Sequence, residues 1–142
     1  MKCADVMTGN LDCCEPTTTV AEVAKLMQAM NIGSVPVVDD LLSKKLIGLV
    51  TDRDLAINVV GKGLDSTTTQ VSEVMSRDLV TCLPDDNLDT ALMLMEQCRV
   101  RRIPVVNAAN QVVGIIAQAD LATRLKDPQL THELLQRISA CR

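Results

Sequence analysis

Thr51 and Asp54 stand three positions apart, where an apolar strand-like run ends and a helix-like run begins. A Thr-x-x-Asp pair of this kind caps the first turn of a helix, because each side chain accepts a hydrogen bond from the other residue's backbone N–H. A carboxylate also suits a second task, since it accepts hydrogen bonds from the neighbouring hydroxyl groups of a ligand. The pair therefore has two interpretations, a helix cap and a ligand clasp.

The six cysteines and the single histidine, His132, are the other residues with potential metal or redox chemistry. No C-x-x-C pair occurs, and His132 is far in sequence from Cys13 and Cys14, so the spacing does not fit a structural zinc site. Disulfide frameworks are typical of short secreted chains without a large core. We expect free thiols and no metal, and a redox role for Cys13 and Cys14 stays open.

Composition excludes several classes of function and partner. The net charge is −4, no aromatic residue occurs, and 47% of the chain is hydrophobic, which favours a folded protein without a nucleic-acid-binding face. No apolar run is long enough for a membrane span or a signal segment, so a cytoplasmic protein is expected. The lone histidine provides neither a Ser-His-Asp nor a Cys-His set, so no catalytic residue and no enzymatic activity is predicted.

The chain contains an internal duplication. DVMTGNL at residues 5–11 matches EVMSRDL at residues 73–79, and the VPVV and IPVV runs that follow match in the same way. Later in each copy Asp54 matches Asp120, after a turn in which the first copy carries two more residues. Ala117 replaces the threonine of the first copy, so the second copy has lost the cap and kept the acid.

Each copy has the element order β-α-β-β-α. Thr19 with Glu22, and Asn87 in the second copy, predict the starts of the first helices, and Gly33 is expected to end the first of them in a left-handed conformation. Strands are predicted at residues 11–13, 35–38, 46–50, 79–82, 103–106 and 112–116, and second helices at 52–60 and 118–126. Core positions are expected for Met27, Met30, Met93 and Met95.

The fold class that follows is α+β, with two tandem β-α-β-β-α repeats and a C-terminal helix. The predicted boundaries are 1–62 for the first repeat, 63–70 for a linker, 71–126 for the second repeat and 127–142 for an amphipathic helix. The helices of one copy cannot cover both faces of its small sheet, so the copies are expected to pack on each other.

The ordered pattern V-M-T … P … M … S-V-P-V-V-D … G-L-V-T-x-x-D resembles the cystathionine-β-synthase (CBS) domain, and two copies in tandem resemble a Bateman module. The resemblance covers residues 3–126. It implies sheets packed around a pseudo-twofold axis, two clefts between the repeats, and a non-catalytic regulatory homodimer. It also implies that the acid of G-h-h-[ST]-x-x-D binds the ribose hydroxyls of an adenosine-containing effector, rather than any catalytic cofactor.

Position by position, the resemblance implies two unequal clefts. Cleft one would use Thr51, Asp54, Met75, Ser76, Val100, Arg101, Arg102 and Pro104. Cleft two would use Asp120, Met7, Thr8, Ile32, Gly33, Ser34 and Pro36. Arginines favour the phosphates of AMP, ADP or ATP in cleft one, unless they simply face water.

Cleft two lacks both the hydroxyl and the arginines, so an uncharged or cationic adenosyl compound such as S-adenosylmethionine fits it better, or it stays empty. The alternative function is an interaction and dimerisation module without a small-molecule ligand, which acts through its dimer surface or responds to oxidation through its cysteines. No feature of the sequence identifies the regulated protein.

Overall fold

The computed structural model describes residues 1–118 and residue 121. The chain forms two compact units. The first-repeat unit comprises Asp12–Leu79, and the second-repeat unit joins Met1–Leu11 to the chain from Val80 onward. Outside the described residues lie the predicted C-terminal helix, most of the predicted helix at 118–126, and the side chains Asp120, His132 and Cys141. No helix within the described part of the chain has the length and apolar character needed to cross a membrane.

The first-repeat unit is built on an antiparallel hairpin of β1 (Ser34–Val38) and β2 (Leu46–Thr51). Val35, Val37 and Val50 are fully buried, which accounts for the nearly continuous apolar runs that predict these strands. A bulge between Val37 and Val38 precedes the turn that contains the two additional residues. The two strands are confirmed, each one residue longer than predicted.

The second-repeat unit repeats this hairpin with β3 (Arg102–Val106) and β4 (Val112–Ala117). The register is equivalent, and a bulge occurs at the same place, between Val105 and Val106. Two helices of this unit are α1 (Cys3–Val6) and α4 (Leu88–Cys98). The α+β prediction is therefore confirmed in both units.

Helix α2 (Val20–Met30) begins where its capping residues predict. The Glu22 N–H donates to Thr19 Oγ1 at 3.3 Å, and Glu22 Oε2 accepts from the Thr19 N–H at 3.4 Å. The expected left-handed stop at Gly33 is wrong, because Asn31 takes that conformation with φ 53°. Asparagine tolerates the left-handed region better than most residues, so the helix ends two positions earlier than a glycine-based rule suggests.

The methionine prediction is correct for two positions and wrong for two. Met27 and Met95 are buried, whereas Met30 and Met93 are 52% and 54% exposed. Met93 lies two positions from Met95, hence on the opposite face of α4, and Met30 is the last residue of α2. Helical spacing alone therefore overestimates the width of the buried stripe.

The second helix of the first copy changes its winding. It starts as α3 (Asp52–Leu55) and continues as a π-helix over Ala56–Val60, in which the Gly61 N–H donates to the Ala56 carbonyl at 2.8 Å. The wider turn buries Val59 and leaves Val60 exposed. The predicted extent of this helix is confirmed, but its π-helical half is not visible in the residue pattern.

Single-residue bridges replace the predicted first strands. Cys14 pairs in parallel with Val37, and Cys82 pairs in parallel with Val105. The opposite edge of each hairpin is also paired, because Ser76 bridges Leu49 in one unit and Thr8 bridges Ile115 in the other. Each hairpin is therefore flanked on both edges.

The compact units do not follow the order of the repeats along the chain. The leading segment of the first copy, Met1–Leu11, belongs to the second-repeat unit, and its counterpart at residues 69–79 belongs to the first-repeat unit. The hydrogen bonds are equivalent: Ala4 N–H donates to the Pro84 carbonyl at 2.9 Å, and Ser72 N–H donates to the Pro16 carbonyl at 3.1 Å. Each unit is thus completed by the leading segment of the other copy.

We expect Gly114→Ala to lower the free energy of unfolding by about 1–3 kcal/mol, because the core offers no room for the added methyl group. A Cβ at this position would meet the Met7 Sδ directly and would lie 2.9 Å from Met7 Cγ. Gly9→Ala is the control, since its nearest neighbour would be the Val113 carbonyl oxygen at 3.8 Å. Urea unfolding followed by circular dichroism measures both, and equal stabilities would contradict the packing argument.

Candidate functional site

Thr51 and Asp54 form a reciprocal cap at the junction of β2 and α3. Thr51 Oγ1 accepts from the Asp54 N–H at 3.2 Å, and Asp54 Oδ2 accepts from the Thr51 N–H at 2.9 Å. The helix-cap interpretation is therefore confirmed. The same bonds fix the carboxylate of Asp54, which is half-buried, and leave its Oδ1 without a hydrogen bond among the described residues.

Residues at the start of β1 lie beside this cap. Ser34 is the register partner of Thr51, and the Asp52 N–H donates to the Gly33 carbonyl at 3.0 Å. The half-buried residues Ile32, Gly33 and Ser34 therefore border the Thr51–Asp54 pair at one end of the hairpin.

Met75 and Ser76 lie along the outer edge of β2. Ser76 exchanges two backbone hydrogen bonds with Leu49, at 3.0 and 2.9 Å, and Leu49 is paired with Pro36 on its other side. Met75 packs over Gly48, where an added Cβ would lie 2.6 Å from its Sδ. The absence of a side chain at Gly48 is therefore what lets Met75 approach the sheet.

The second-repeat unit has the same scaffold with different side chains. Arg102 is the register partner of Ala117, and the Gln118 N–H donates to the Arg101 carbonyl at 3.1 Å. Two arginines thus occupy the positions that Gly33 and Ser34 hold in the first-repeat unit. Thr8 exchanges two hydrogen bonds with Ile115, at 2.9 and 3.0 Å.

Arg101 carries a buried nitrogen with an unmet hydrogen-bonding requirement. Arg101 Nε is buried, and it has no hydrogen-bond partner within the described part of the chain. An unsatisfied buried donor costs about 1–3 kcal/mol, and more when the group is charged. An anionic acceptor would remove this cost.

Each predicted cleft draws its residues from both units, so the two clefts stay predictions. The first-repeat unit brings together Thr51, Asp54, Met75 and Ser76 of cleft one with Ile32, Gly33, Ser34 and Pro36 of cleft two. The second-repeat unit holds Val100, Arg101, Arg102 and Pro104 of cleft one with Met7 and Thr8 of cleft two. Asp120 of cleft two lies outside the described residues.

Gly48 and Gly114 are positioning residues that the sequence reasoning did not include among the candidates. Because it has no side chain, each glycine leaves room for a methionine of the flanking segment, Met75 in one unit and Met7 in the other. The signal was present in the duplication, because both glycines and both methionines recur at equivalent positions.

Neither metal chemistry nor disulfide bonding appears among the described side chains. No group of three or more His, Cys, Asp or Glu residues could hold a metal ion there. Among the acids, Asp39 stabilises the turn between β1 and β2. The hydrogen bond that the Ser43 hydroxyl donates to its carboxylate lowers the pKa of Asp39. The described cysteines are free thiols, and burial raises the pKa of Cys14 to about 12.

The repeated hairpin-and-helix unit defines a tandem α+β module, and comparison with known proteins identifies its family. The model of the CBS domain matches residues 3–61 and again residues 71–127. The chain belongs to the CBS domain family, as a tandem pair. CBS pairs are in general regulatory rather than catalytic.

One relative and two solved structures show how far the similarity extends. The CBS domain-containing protein YhcV of Bacillus subtilis is 39% identical over 135 residues, which is 95% of this chain and 93% of the relative. The CBS domain pair of MJ0100, in complex with 5′-methylthioadenosine and S-adenosyl-L-methionine, has a TM-score of 0.74 and 26% identity, with 87% and 94% of the two chains covered. CBSX2 in complex with AMP has a TM-score of 0.69 and 29% identity, with 84% and 91% covered.

Loss of the cap should weaken the first-repeat unit measurably. We expect Thr51→Ala to reduce the free energy of unfolding by about 1 kcal/mol, because the Asp54 N–H loses its acceptor. Thr51→Ser keeps the hydroxyl and should stay close to the parent protein. Denaturant titrations give both values, and a Thr51→Ala protein as stable as the parent would rule out this role for the hydroxyl.

Proposed function

We propose that this chain is a non-catalytic regulatory module that binds an adenosine-containing ligand between its two CBS repeats. The observation that carries the proposal is the fixed carboxylate of Asp54, which the Thr51 N–H holds through Oδ2 at 2.9 Å. The AMP and S-adenosyl-L-methionine complexes of similar CBS proteins support the ligand class. The proposed ligand acts as an effector, so no catalytic cofactor is part of the proposal.

Asp54 is suited to binding a ribose diol. Its Oδ1 keeps its lone pairs for a ligand, while the cap restricts rotation of the carboxylate before any ligand arrives. Hydrogen bonds to a charged acceptor contribute about 1.5–3 kcal/mol each, and preorganisation preserves that contribution because little side-chain freedom remains to be lost.

An aliphatic surface would hold the adenine. The chain has no aromatic residue, so stacking on a ring is impossible and the base must lie between side chains such as Met75, Val100 and Pro104. Met75 is buried against Gly48, and Pro104 is buried in β3, so both are held firmly for such a contact. Ser76, which is exposed, would lie at the rim of cleft one.

Arg101 and Arg102 would bind the phosphate of the ligand. The buried Nε of Arg101 has no partner among the described residues, and a phosphate oxygen would supply the acceptor it lacks. We therefore assign AMP, ADP or ATP to cleft one. Cleft two, with Gly33 and Ser34 in place of the arginines, would take an uncharged or cationic adenosyl ligand or remain empty.

The regulatory output would come from a change in how two repeats or two chains are arranged. Such an output is limited to the ligand's differential affinity for the arrangements, typically about 1–3 kcal/mol. Ile57 and Val60, which are 48% and 77% exposed, are candidates for a homodimer contact. The homodimer, the cytoplasmic location and the repeat boundaries stay predictions.

The ribose contact predicts that Asp54→Asn weakens AMP binding about 10- to 100-fold, because the amide can still accept from the Thr51 N–H but its nitrogen cannot accept from a hydroxyl. The same variant should no longer distinguish AMP from 2′-deoxy-AMP, which a merely structural role would not produce. Binding is measured by equilibrium dialysis, where the absence of aromatic residues leaves adenine as the main near-ultraviolet absorber.

Two variants serve as controls for the ribose contact. Asp52→Asn removes the exposed neighbouring acid and should leave AMP binding unchanged, and Asp120→Asn should affect AMP much less than Asp54→Asn does. Equal loss in the Asp54 and Asp120 variants would contradict the assignment of AMP to cleft one. No binding of any adenosyl ligand by the parent protein would favour the ligand-free interaction module instead.

The phosphate contact predicts opposite effects on stability and affinity. Arg101→Met keeps an apolar stem but removes the unpartnered nitrogen, so the ligand-free protein should be no less stable than the parent. AMP affinity should nevertheless fall about 10-fold or more, while adenosine affinity stays nearly constant. Lys25→Ala, at an exposed position of α2, makes the same charge change, and an equal loss of AMP affinity there would show a nonspecific charge effect.

A further inference from the structure

Cys3 and Cys82 form a buried thiol pair within the second-repeat unit. Both side chains belong to the same hydrophobic core, with exposures of 0% and 3%. The Cys3 thiol donates to the Asn87 carbonyl and the Cys82 thiol to the Pro104 carbonyl, each at 4.0 Å. The two thiols are close enough to affect each other, because the neighbouring Cys3 adds to the burial that raises the pKa of Cys82. The backbone on either side is tied together, because the Cys3 N–H donates to the Asp86 carbonyl at 2.9 Å and the Ala4 N–H donates to the Pro84 carbonyl at 2.9 Å. The two thiols therefore lie in one buried core, on segments that backbone hydrogen bonds hold side by side.

The first-repeat unit contains the same arrangement with one thiol. Cys14 is the counterpart of Cys82 and Val71 the counterpart of Cys3, and both are buried in the core of that unit. The surrounding bonds are equivalent, since the Val71 N–H donates to the Thr18 carbonyl at 2.8 Å. A valine satisfies the packing at this position, so a second thiol is not needed to fill the core.

We propose that Cys3 and Cys82 are a redox-active pair whose disulfide ties the N-terminal segment Met1–Leu11 covalently to the second-repeat unit. The segment has no covalent connection to the rest of that unit except through the whole first-repeat unit. The bond would close a loop of about 80 residues, and long loops give the largest entropic stabilisation in the chain-entropy account. This inference is independent of the proposed adenosyl ligand.

The oxidant in this proposal is a low-molecular-weight disulfide such as oxidised glutathione. One protein thiolate, having lost its proton to water, attacks a sulfur of that disulfide, whose S–S bond breaks and releases one small thiolate. The second protein thiolate then attacks the mixed disulfide, forms the Cys3–Cys82 bond and releases the other small thiolate. The protein loses two electrons and two protons, and the oxidant becomes two thiols.

Burial makes the pair unreactive while the N-terminal segment is docked. Desolvation raises the pKa of Cys3, and it raises that of Cys82 to about 12. Little thiolate is therefore present while the N-terminal segment is docked. Exchange would proceed when the short helix α1 lifts and exposes the pair. The disulfide is therefore expected to form slowly under oxidising conditions and, once formed, to be reduced slowly.

The test uses the full chain with Cys13, Cys98 and Cys141 replaced by serine, which leaves Cys3, Cys14 and Cys82. This protein is unfolded, refolded in a series of glutathione redox buffers, acid-quenched, and labelled with a maleimide under denaturing conditions. We expect three labels in reducing buffer and one, on Cys14, in oxidising buffer, with a cross-linked peptide containing Cys3 and Cys82. The oxidised form should also unfold at higher urea concentration than the reduced form.

Two matched variants make the result decisive. Cys3→Val, which copies the first-repeat unit, should keep two labels in every buffer. Adding Val71→Cys to that variant should move the disulfide to Cys14, because the two units share one geometry. Three labels throughout, mixed glutathione adducts alone, or pairing of Cys14 with Cys82 in the parent background would each overturn the proposal.

Discussion

The backbone pairing of Thr8 with Ile115, and of Ser76 with Leu49, is the constraint on which both units depend. A two-stranded hairpin is marginally stable by itself, and its open edges would leave unpaired backbone groups. In each unit the leading segment of the other copy closes one edge. This pairing explains why each compact unit contains the leading segment of the other copy.

The same pairing determines which side chains can lie beside the sheet. The segment approaches closely enough for two hydrogen bonds because β2 and β4 have a glycine under the methionine that precedes the pairing residue. A larger residue would push that methionine away and weaken the edge. Met75 and Ser76, proposed as ligand contacts, are therefore held by the element that completes the fold, so their positions are not free to vary independently of stability.

Much of this structure is predictable from local pattern, and the rest depends on contacts that no local pattern shows. The apolar runs predict all four hairpin strands to within one residue, and the cap at Thr19 predicts the start of α2. The left-handed stop at Asn31 was missed because a nearby glycine is the stronger local signal. The π-helical turns after Leu55 are not predicted, because an apolar residue pattern does not distinguish π-helical from α-helical winding.

The candidate site shows the same division. The Thr51–Asp54 cap follows from spacing alone, since both hydrogen bonds lie within four consecutive residues. The pairing of Ser34 with Thr51 follows from the hairpin register, which alternation of buried residues largely fixes. The exchange of the leading segments joins residues far apart in sequence, so no local pattern predicts it. The unpartnered nitrogen of Arg101 likewise became apparent only from the packing around it.

The two copies have kept one scaffold while their chemistry has diverged. Register, bulge position and edge pairing are equivalent in both units, so differences between them cannot be attributed to differences in backbone. The copies differ in side chains at equivalent backbone positions. Gly33 corresponds to Arg101, Thr51 corresponds to Ala117, and Val71 corresponds to Cys3. Because the backbone tolerates either member of each pair, these positions were free to acquire separate tasks. Differences at positions that the shared scaffold holds in equivalent places, such as Gly33 and Arg101, are therefore where separate tasks of the two copies should be sought first.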